Sequence, residues 1–397
     1  MANEMPYTLG MTGPINVADF REFIYPAQWR EGLPKGQGGT PVNLLCRELL
    51  KRGQKPVVSS CDAAVKDERV LQGDNLRLCL GPKGVRPARN FFQVERDYLQ
   101  HAIAREKPDI IHAQWTYEYA MPVQRSGITH VITAHDTPLR YLWHNFIPYR
   151  IARTLMAYRV ISRAQRIVSV SPYVHEHLRK YMFYRGGSEV IPNGLPEEAF
   201  AEFLPPSIKG KVFTIATILV GWGNYKNGEV AIKAFSILRR NYPEVRLIMF
   251  GGGHGPEEAA EQWARAQSLE EGIEFVGQLP YDVLMARLEG EVDMVVHPAL
   301  VETHSMALIE AMARRIPVIG GKSSGAVPWT LAQGDAGMLV NIRSPKDVAA
   351  AMNKLIADPG LRRSYAERGH VLTRRRFHIA SVADAWQAVY NQLAQRQ

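Results

Sequence analysis

Two glutamates, Glu302 and Glu310, stand eight positions apart in the run His297-Pro-Ala-Leu-Val-Glu-Thr-His-Ser-Met-Ala-Leu-Ile-Glu-Ala-Met-Ala. The apolar segments 292–297 and 316–320 read as buried strands. Residues 305–314 carry helical spacing, with Met306, Leu308, Ile309 and Met312 on or near one face. Glu302 therefore belongs to the loop before a helix and Glu310 to the helix itself. A helix N-terminus presents unpaired amides and the positive end of its dipole, so the backbone of His304, Ser305 and Met306 can receive a phosphate. The flanking carboxylates can accept hydrogen bonds from hydroxyls on either side. Nucleotide sugars are the common metabolites with sugars on both sides of a diphosphate. On spacing alone, however, two acids eight apart also fit a solvated helix face.

The wider context is more specific. The loop Glu302-Thr-His-Ser, the helix Ala307-Leu-Ile-Glu-Ala-Met-Ala and the following Pro317-Val-Ile-Gly-Gly resemble the E-x7-E motif of retaining glycosyltransferases of the two-Rossmann-domain (GT-B) kind, family 4 in particular. The resemblance implies an α/β fold of two Rossmann-like doubly wound domains facing each other across a cleft that holds the active site. It also implies a hexosyltransferase that moves a sugar from a nucleotide-sugar donor to an acceptor hydroxyl. In that scheme Glu302 holds sugar hydroxyls and Glu310 binds the nucleotide ribose.

Lys226 lies in Gly221-Trp-Gly-Asn-Tyr-Lys-Asn-Gly, between an expected strand and an expected helix. A lysine there can neutralise a diphosphate as a mobile point charge, and in the resembled family it contacts the donor phosphates. The family usually has an arginine five residues earlier, where this chain has Gly221. The run Phe250-Gly-Gly-Gly-His-Gly-Pro256 is not a dinucleotide fingerprint, because Pro256 stands where the third glycine belongs. It reads as a tight turn near the nucleotide pocket. After Gly277, the backbone at Leu279 is where similar proteins meet the nucleobase. No Asp-x-Asp pair stands at a strand exit, so neither a metal nor a cofactor is expected, and the nucleotide sugar is a substrate.

In the first half, Gly36-Gln-Gly38-Gly39 precedes an amphipathic helix, where glycines let a phosphate approach backbone amides. The resemblance places Gly38 and Gly39 at the donor diphosphate. His135 and Asp136 end a strand pattern, and the family has a histidine at this place beside the donor sugar. Asp136 could orient it or receive an acceptor hydroxyl, and His112 and Trp115 could line the acceptor side. Residues 12–37, with Phe23, Tyr25 and Trp29, lack clear periodicity and read as an acceptor lid.

The formal net charge of +9 sits in the first half: residues 1–195 hold 26 Lys+Arg against 17 Asp+Glu, and residues 196–397 hold 22 against 22. From Arg140 to Arg185 nine basic residues meet only Glu176, and aromatics alternate with arginines. This pattern suits a helix touching an anionic membrane or a lipid-phosphate acceptor, and equally an amphipathic helix packed on the sheet with a cationic outer face. No nucleic-acid-binding module accompanies the charge. A content of 46% apolar and 22% charged residues matches a soluble globular protein, and 397 residues suffice for two domains. Three cysteines without paired spacing, the absence of a membrane-spanning stretch and the lack of a signal-peptide pattern fit the cytoplasm, and the basic first half suits peripheral contact with the inner membrane face.

Strand and helix patterns alternate along the whole chain, as a parallel sheet wrapped by helices requires. Turn residues from Ile191 to Pro196, followed by Pro205-Pro206, mark the boundary between domains 1–195 and 196–376. By the resemblance, helix 377–397 packs back on the first domain. The rival readings are a sugar-nucleotide epimerase or phosphorylase on the same fold, and a GT-B protein that binds without catalysis.

Overall fold

Continuous apolar runs such as Ile110-Ile111 and Val131-Ile132 can be buried on both faces only inside a parallel sheet covered by helices, and they lie at its centre. The computed structural model describes residues 7–36, 38–187, 189–200, 212–223 and 225–395, so Gln37 and the Pro205-Pro206 pair lie outside the described residues. The chain divides into two units, Met1–Gly194 with Ile379–Gln397, and Leu195–His378.

Among the described residues, the first unit has strands β1 (Leu9–Thr12), β2 (Val57–Asp62), β3 (Arg69–Gln72), β4 (Arg77–Pro82), β5 (Ile110–Gln114), β6 (Thr129–Ala134), β7 (Ile167–Ser169) and β8 (Glu189–Val190). They form one sheet in the order β3-β4-β2-β1-β5-β6-β7-β8, parallel throughout except for the β3–β4 hairpin. The helix Thr40–Lys51 buries Val42, Leu45, Cys46, Leu49 and Leu50. The last helix, Ile379–Ala394, places Val382, Trp386, Val389, Tyr390 and Leu393 in the same core. Truncating Trp386 to alanine would cost about 3–5 kcal/mol.

The second unit has β9 (Thr214–Ile218), β10 (Arg246–Phe250), β11 (Ile273–Gly277), β12 (Met294–His297), β13 (Val318–Gly321) and β14 (Met338–Val340), all parallel, in the order β11-β10-β9-β12-β13-β14. In this Rossmann-like winding the chain direction of travel reverses between β9 and β12, and ligands bind outside the carboxyl ends of strands at such a point. β9 leads to the Lys226 turn and β12 leads to the Glu302 loop. The first unit has the same reversal between β1 and β5.

The segment expected to be a lid is a packed layer instead. It folds into short 3-10 turns at Val17–Phe23 and Pro26–Gln28, and Ile15, Val17, Phe20 and Ile24 are buried. Phe23 and Trp29 pack against the core, while Tyr25 remains exposed. Apolar side chains spaced for 3-10 turns bury themselves without leaving a helical or strand period to read.

Candidate active site

Ser305 caps the helix Met306–Ala313, its hydroxyl accepting from the Leu308 amide at 3.3 Å. The Ile309 amide reaches the Ser305 carbonyl. The Met306 and Ala307 amides precede the first donors bonded to Ser305, those of Leu308 and Ile309, so they are the donors left for an anion. The loop before the helix is stitched to its surroundings: the Ala326 amide donates to the Glu302 carbonyl at 2.8 Å, and the Leu300 amide to the Tyr225 carbonyl at 2.7 Å. Asn227, in a left-handed conformation, donates from its side chain to the carbonyls of Pro298 and Ile342, each at 2.9 Å. These bonds hold the turn after β9 and the loop after β12 side by side.

Lys226 Nζ accordingly donates to Glu302 Oε1 at 3.1 Å, and His297 Nε2 lies 3.4 Å from the same oxygen. Burial pushes the Glu302 carboxyl up, but the charge of Lys226 and the neighbouring His297 outweigh it and bring the pKa down to about 2. Glu302 is thus ionised across the physiological range. The two residues expected to hold sugar and phosphate separately hold each other. His304 is buried, and neither of its ring nitrogens has a hydrogen-bond partner among the described residues. Burial lowers its pKa to about 3, so the ring is neutral.

Glu310 is buried inside the helix. Burial raises its pKa to about 7, against the opposing effects of the Arg314 charge and a hydrogen bond with Tyr281. Tyr281 opens the helix that follows Leu279, which is half-buried and packs on the core beneath the helix. The glycine-rich turn after β10 is closed by the Gly251 amide donating to the Gly277 carbonyl at 2.7 Å. Gly221 has φ +85°, and a Cβ there would meet nothing within 4 Å. The position has room for a side chain, but its backbone favours glycine.

In the first unit, Gly39 is the N-terminal cap of the helix Thr40–Lys51 at φ +89°, and a Cβ would lie 2.0 Å from the Pro14 carbonyl oxygen. Only glycine fits. Gly38 also has positive φ, with open space beside it. At the carboxyl end of the sheet, the ring of Trp115 stacks on His135 with centroids 4.1 Å apart. Trp115 adopts φ +64°, a strained conformation for so bulky a residue. His135 Nε2 meets Gln114 Oε1 at 2.6 Å, which makes Gln114 an unforeseen neighbour. Asp136 accepts from the Tyr117 hydroxyl at 2.6 Å; burial raises its pKa against the charge of Arg153.

His112 is fully buried, with one nitrogen 2.7 Å from the Tyr390 hydroxyl and the other 2.6 Å from Thr133 Oγ1, and it lines the same small cavity as His135. It pins the last helix to the sheet. Arg153 does not belong to a cationic outer face, because its guanidinium lies over the Tyr117 ring and 3.5 Å from Glu118.

The sequence reading also missed Gln114, Asn227, Tyr281 and His297. Gln114 and His297 end strands flanking a reversal point, and that position is the signal that could have found them. Among the described residues no group of three or more His, Cys, Asp or Glu side chains is arranged to hold a metal, and no helix is long and apolar enough to cross a membrane.

Two Rossmann-like units, one with a lysine–glutamate pair beside a capped helix N-terminus, define a protein of the GT-B class. The glycosyl transferases group 1 model matches residues 216–371, and the Glycosyltransferase Family 4 model matches residues 39–199. The chain belongs to these glycosyltransferases. It is 28% identical over 171 residues to a D-inositol 3-phosphate glycosyltransferase of Corynebacterium aurimucosum, a match covering 42% of this chain and 40% of that protein. In fold it is similar to sucrose-phosphate synthase of Thermosynechococcus elongatus, with TM-score 0.78, 16% identity and coverage of 98% and 100% of the two chains. HepE of Anabaena, solved in complex with UDP-glucose, aligns with TM-score 0.67 and 16% identity over 97% of this chain and 100% of the other.

Proposed function

We propose that this glycosyltransferase moves a hexosyl group, with retention of configuration, from a nucleotide sugar to a hydroxyl of a glycan in cell-surface polysaccharide or glycolipid synthesis. The observation that carries the reading is the Lys226–Glu302 pair at 3.1 Å, placed at the β9/β12 reversal beside the Met306 and Ala307 amides. On donor arrival Lys226 turns from Glu302 to the diphosphate, and the freed carboxylate accepts from sugar hydroxyls. As the bond from the anomeric carbon to the diphosphate breaks, Lys226 and the helix amides stabilise the departing charge. The acceptor oxygen bonds to the anomeric carbon on the leaving-group face and passes its proton to a phosphate oxygen. Glu310 accepts from ribose hydroxyls and Leu279 lies by the base, while Gly38 and Gly39 are the first unit's candidates for a phosphate contact. His135, buttressed by Trp115, positions the sugar. No metal takes part in this scheme.

The UDP-glucose complex of HepE favours a uridine nucleotide as the first donor to test, and the inositol phosphate relative favours a polyhydroxyl acceptor carrying a phosphate. A lipid-linked glycan suits the first unit, where Phe146, Ile147 and Leu155 are exposed near Arg150 and Arg159. Such a face supports peripheral contact with an anionic membrane at the cytoplasmic side. The non-catalytic reading draws on Gly221, which removes a cation from the usual pair. Release of sugar from a nucleotide-sugar panel without acceptor tests the proposal. EDTA-insensitive release that disappears in Lys226→Ala supports it, and full activity of that variant overturns the scheme.

A further inference from the structure

The first unit contains a cavity of about 250 Å³ between the helices Pro138–His144 and Pro172–Tyr181, which none of the residues assigned above explains. Its walls include Arg140, Trp143, Tyr173, Glu176, His177 and Tyr181. We propose that this groove is a carbohydrate subsite that seats one pyranose ring of the acceptor. The inference rests on the glycosyl-transfer reading given above.

The lining selects its occupant by elimination. Trp143 is 83% and Tyr181 46% exposed, so their flat apolar faces stand open to a ligand. Rings of this kind bury well against another apolar face, and a pyranose offers one made of C–H groups. His177 is 5% exposed, and its Nε2 has no partner among the described residues. Burial and the nearby Arg140 charge lower its pKa to about 4, leaving a neutral ring. A buried nitrogen without a partner is costly unless a ligand or water meets it.

Arg140, hydrogen-bonded to Tyr173, can only donate, and the Glu176 side chain offers carboxylate oxygens that accept. A phosphate or carboxylate in the groove would meet Glu176, and a quaternary ammonium would meet Arg140. A hydrocarbon chain would satisfy neither of them, nor His177. A neutral ring with hydroxyls at its edge and an apolar face satisfies all three groups and the aromatic walls together. The volume is just below the about 300–1,000 Å³ of drug-sized ligand sites, which suits a single sugar.

Position supports the same occupant. Pro138 follows His135 by three residues, and Pro172 follows the end of β7 by three. Both helices thus leave the same end of the sheet that carries His135.

Saturation-transfer NMR on the full chain without donor tests this directly. The probes are methyl α-D-mannopyranoside, methyl α-D-glucopyranoside and N-acetylglucosamine. Transfer to the ring C–H protons of at least one sugar is expected, with loss in Tyr181→Ala and in Glu176→Gln at unchanged Tm. In turnover, the same variants should raise the KM for a soluble glycan acceptor about tenfold, with kcat and acceptor-free donor hydrolysis unchanged. Absence of transfer from every probe in the wild type overturns the subsite. So does loss of binding to phosphatidylglycerol vesicles with unchanged acceptor KM, which would make the groove a lipid contact. Failure of the wild type to hydrolyse any donor counts against the glycosyl-transfer reading instead, while the NMR result still decides whether the groove binds sugar.

Discussion

Glu310→Gln separates what this residue does for binding from what it costs the fold. Burial raises the carboxyl from 4.5 to about 7, and each pH unit corresponds to about 1.4 kcal/mol. A group whose folded pKa lies above its unfolded value favours the protonated folded state. Its ionisation therefore costs nothing below pH 4.5, costs progressively more as pH rises, and reaches a plateau of about 3 kcal/mol above pH 7. Glutamine has no such cost. The ligand-free variant should match the wild type near pH 4.5 and exceed it at pH 8 by up to about 3 kcal/mol, several degrees in Tm for a unit of this size.

Donor binding should show the opposite trend. The ionised carboxylate accepts from ribose hydroxyls, so wild-type affinity for the nucleotide should rise as pH passes through 7. The variant should bind about tenfold or more weakly above that pH, with a flat profile. Paired thermal scans and nucleotide titrations from pH 5 to 8 measure both. A variant less stable than wild type at pH 8, together with pH-independent wild-type affinity, would refute the reasoning.

Further substitutions probe the remaining parts. Lys226→Met leaves Glu302 buried beside His297 alone and should cost about 3 kcal/mol in denaturant melts; adding Glu302→Gln should restore much of that stability but no turnover. Gly221→Arg should cost about 1–2 kcal/mol for the left-handed backbone yet tighten nucleotide diphosphate binding several-fold, as calorimetry would show. Unchanged affinity would place Gly221 away from the diphosphate. His112→Ala should lose about 2–4 kcal/mol of stability with donor affinity retained, whereas His135→Ala should lower kcat with little effect on donor affinity. Anionic vesicle binding should weaken with Arg159→Ala more than with Arg153→Ala in folded protein, because Arg153 is held by Tyr117 and Glu118.

The donor half was legible because its signals are local. An apolar stripe and flanking buried strands fix where Glu302, Ser305 and Glu310 fall, and helix Met306–Ala313 lies within the 305–314 expected. The Lys226–Glu302 contact was not legible, since it depends on β9 and β12 being neighbours across 76 residues. The burial of His112 was not legible, because strand alternation does not say which face meets solvent, and this one meets Trp386 and Tyr390. Arg153 misled because an arginine among aromatics reads as surface until a carboxylate from another segment joins it. The helix Pro359–Phe377 went unread because it buries Arg362 and His370, leaving no apolar stripe. The β3–β4 hairpin went unread between two helical segments, its short strands carrying arginines at Arg69 and Arg77.

Donor recognition by the second unit is the central claim, and calorimetric titration with UDP-, GDP-, ADP- and dTDP-glucose, each with and without EDTA, measures it most directly. The account predicts saturable binding by one nucleotide series, unaffected by EDTA and lost in the Lys226→Met, Glu302→Gln double variant. Absence of binding by every donor, or equal binding by the double variant, would contradict it.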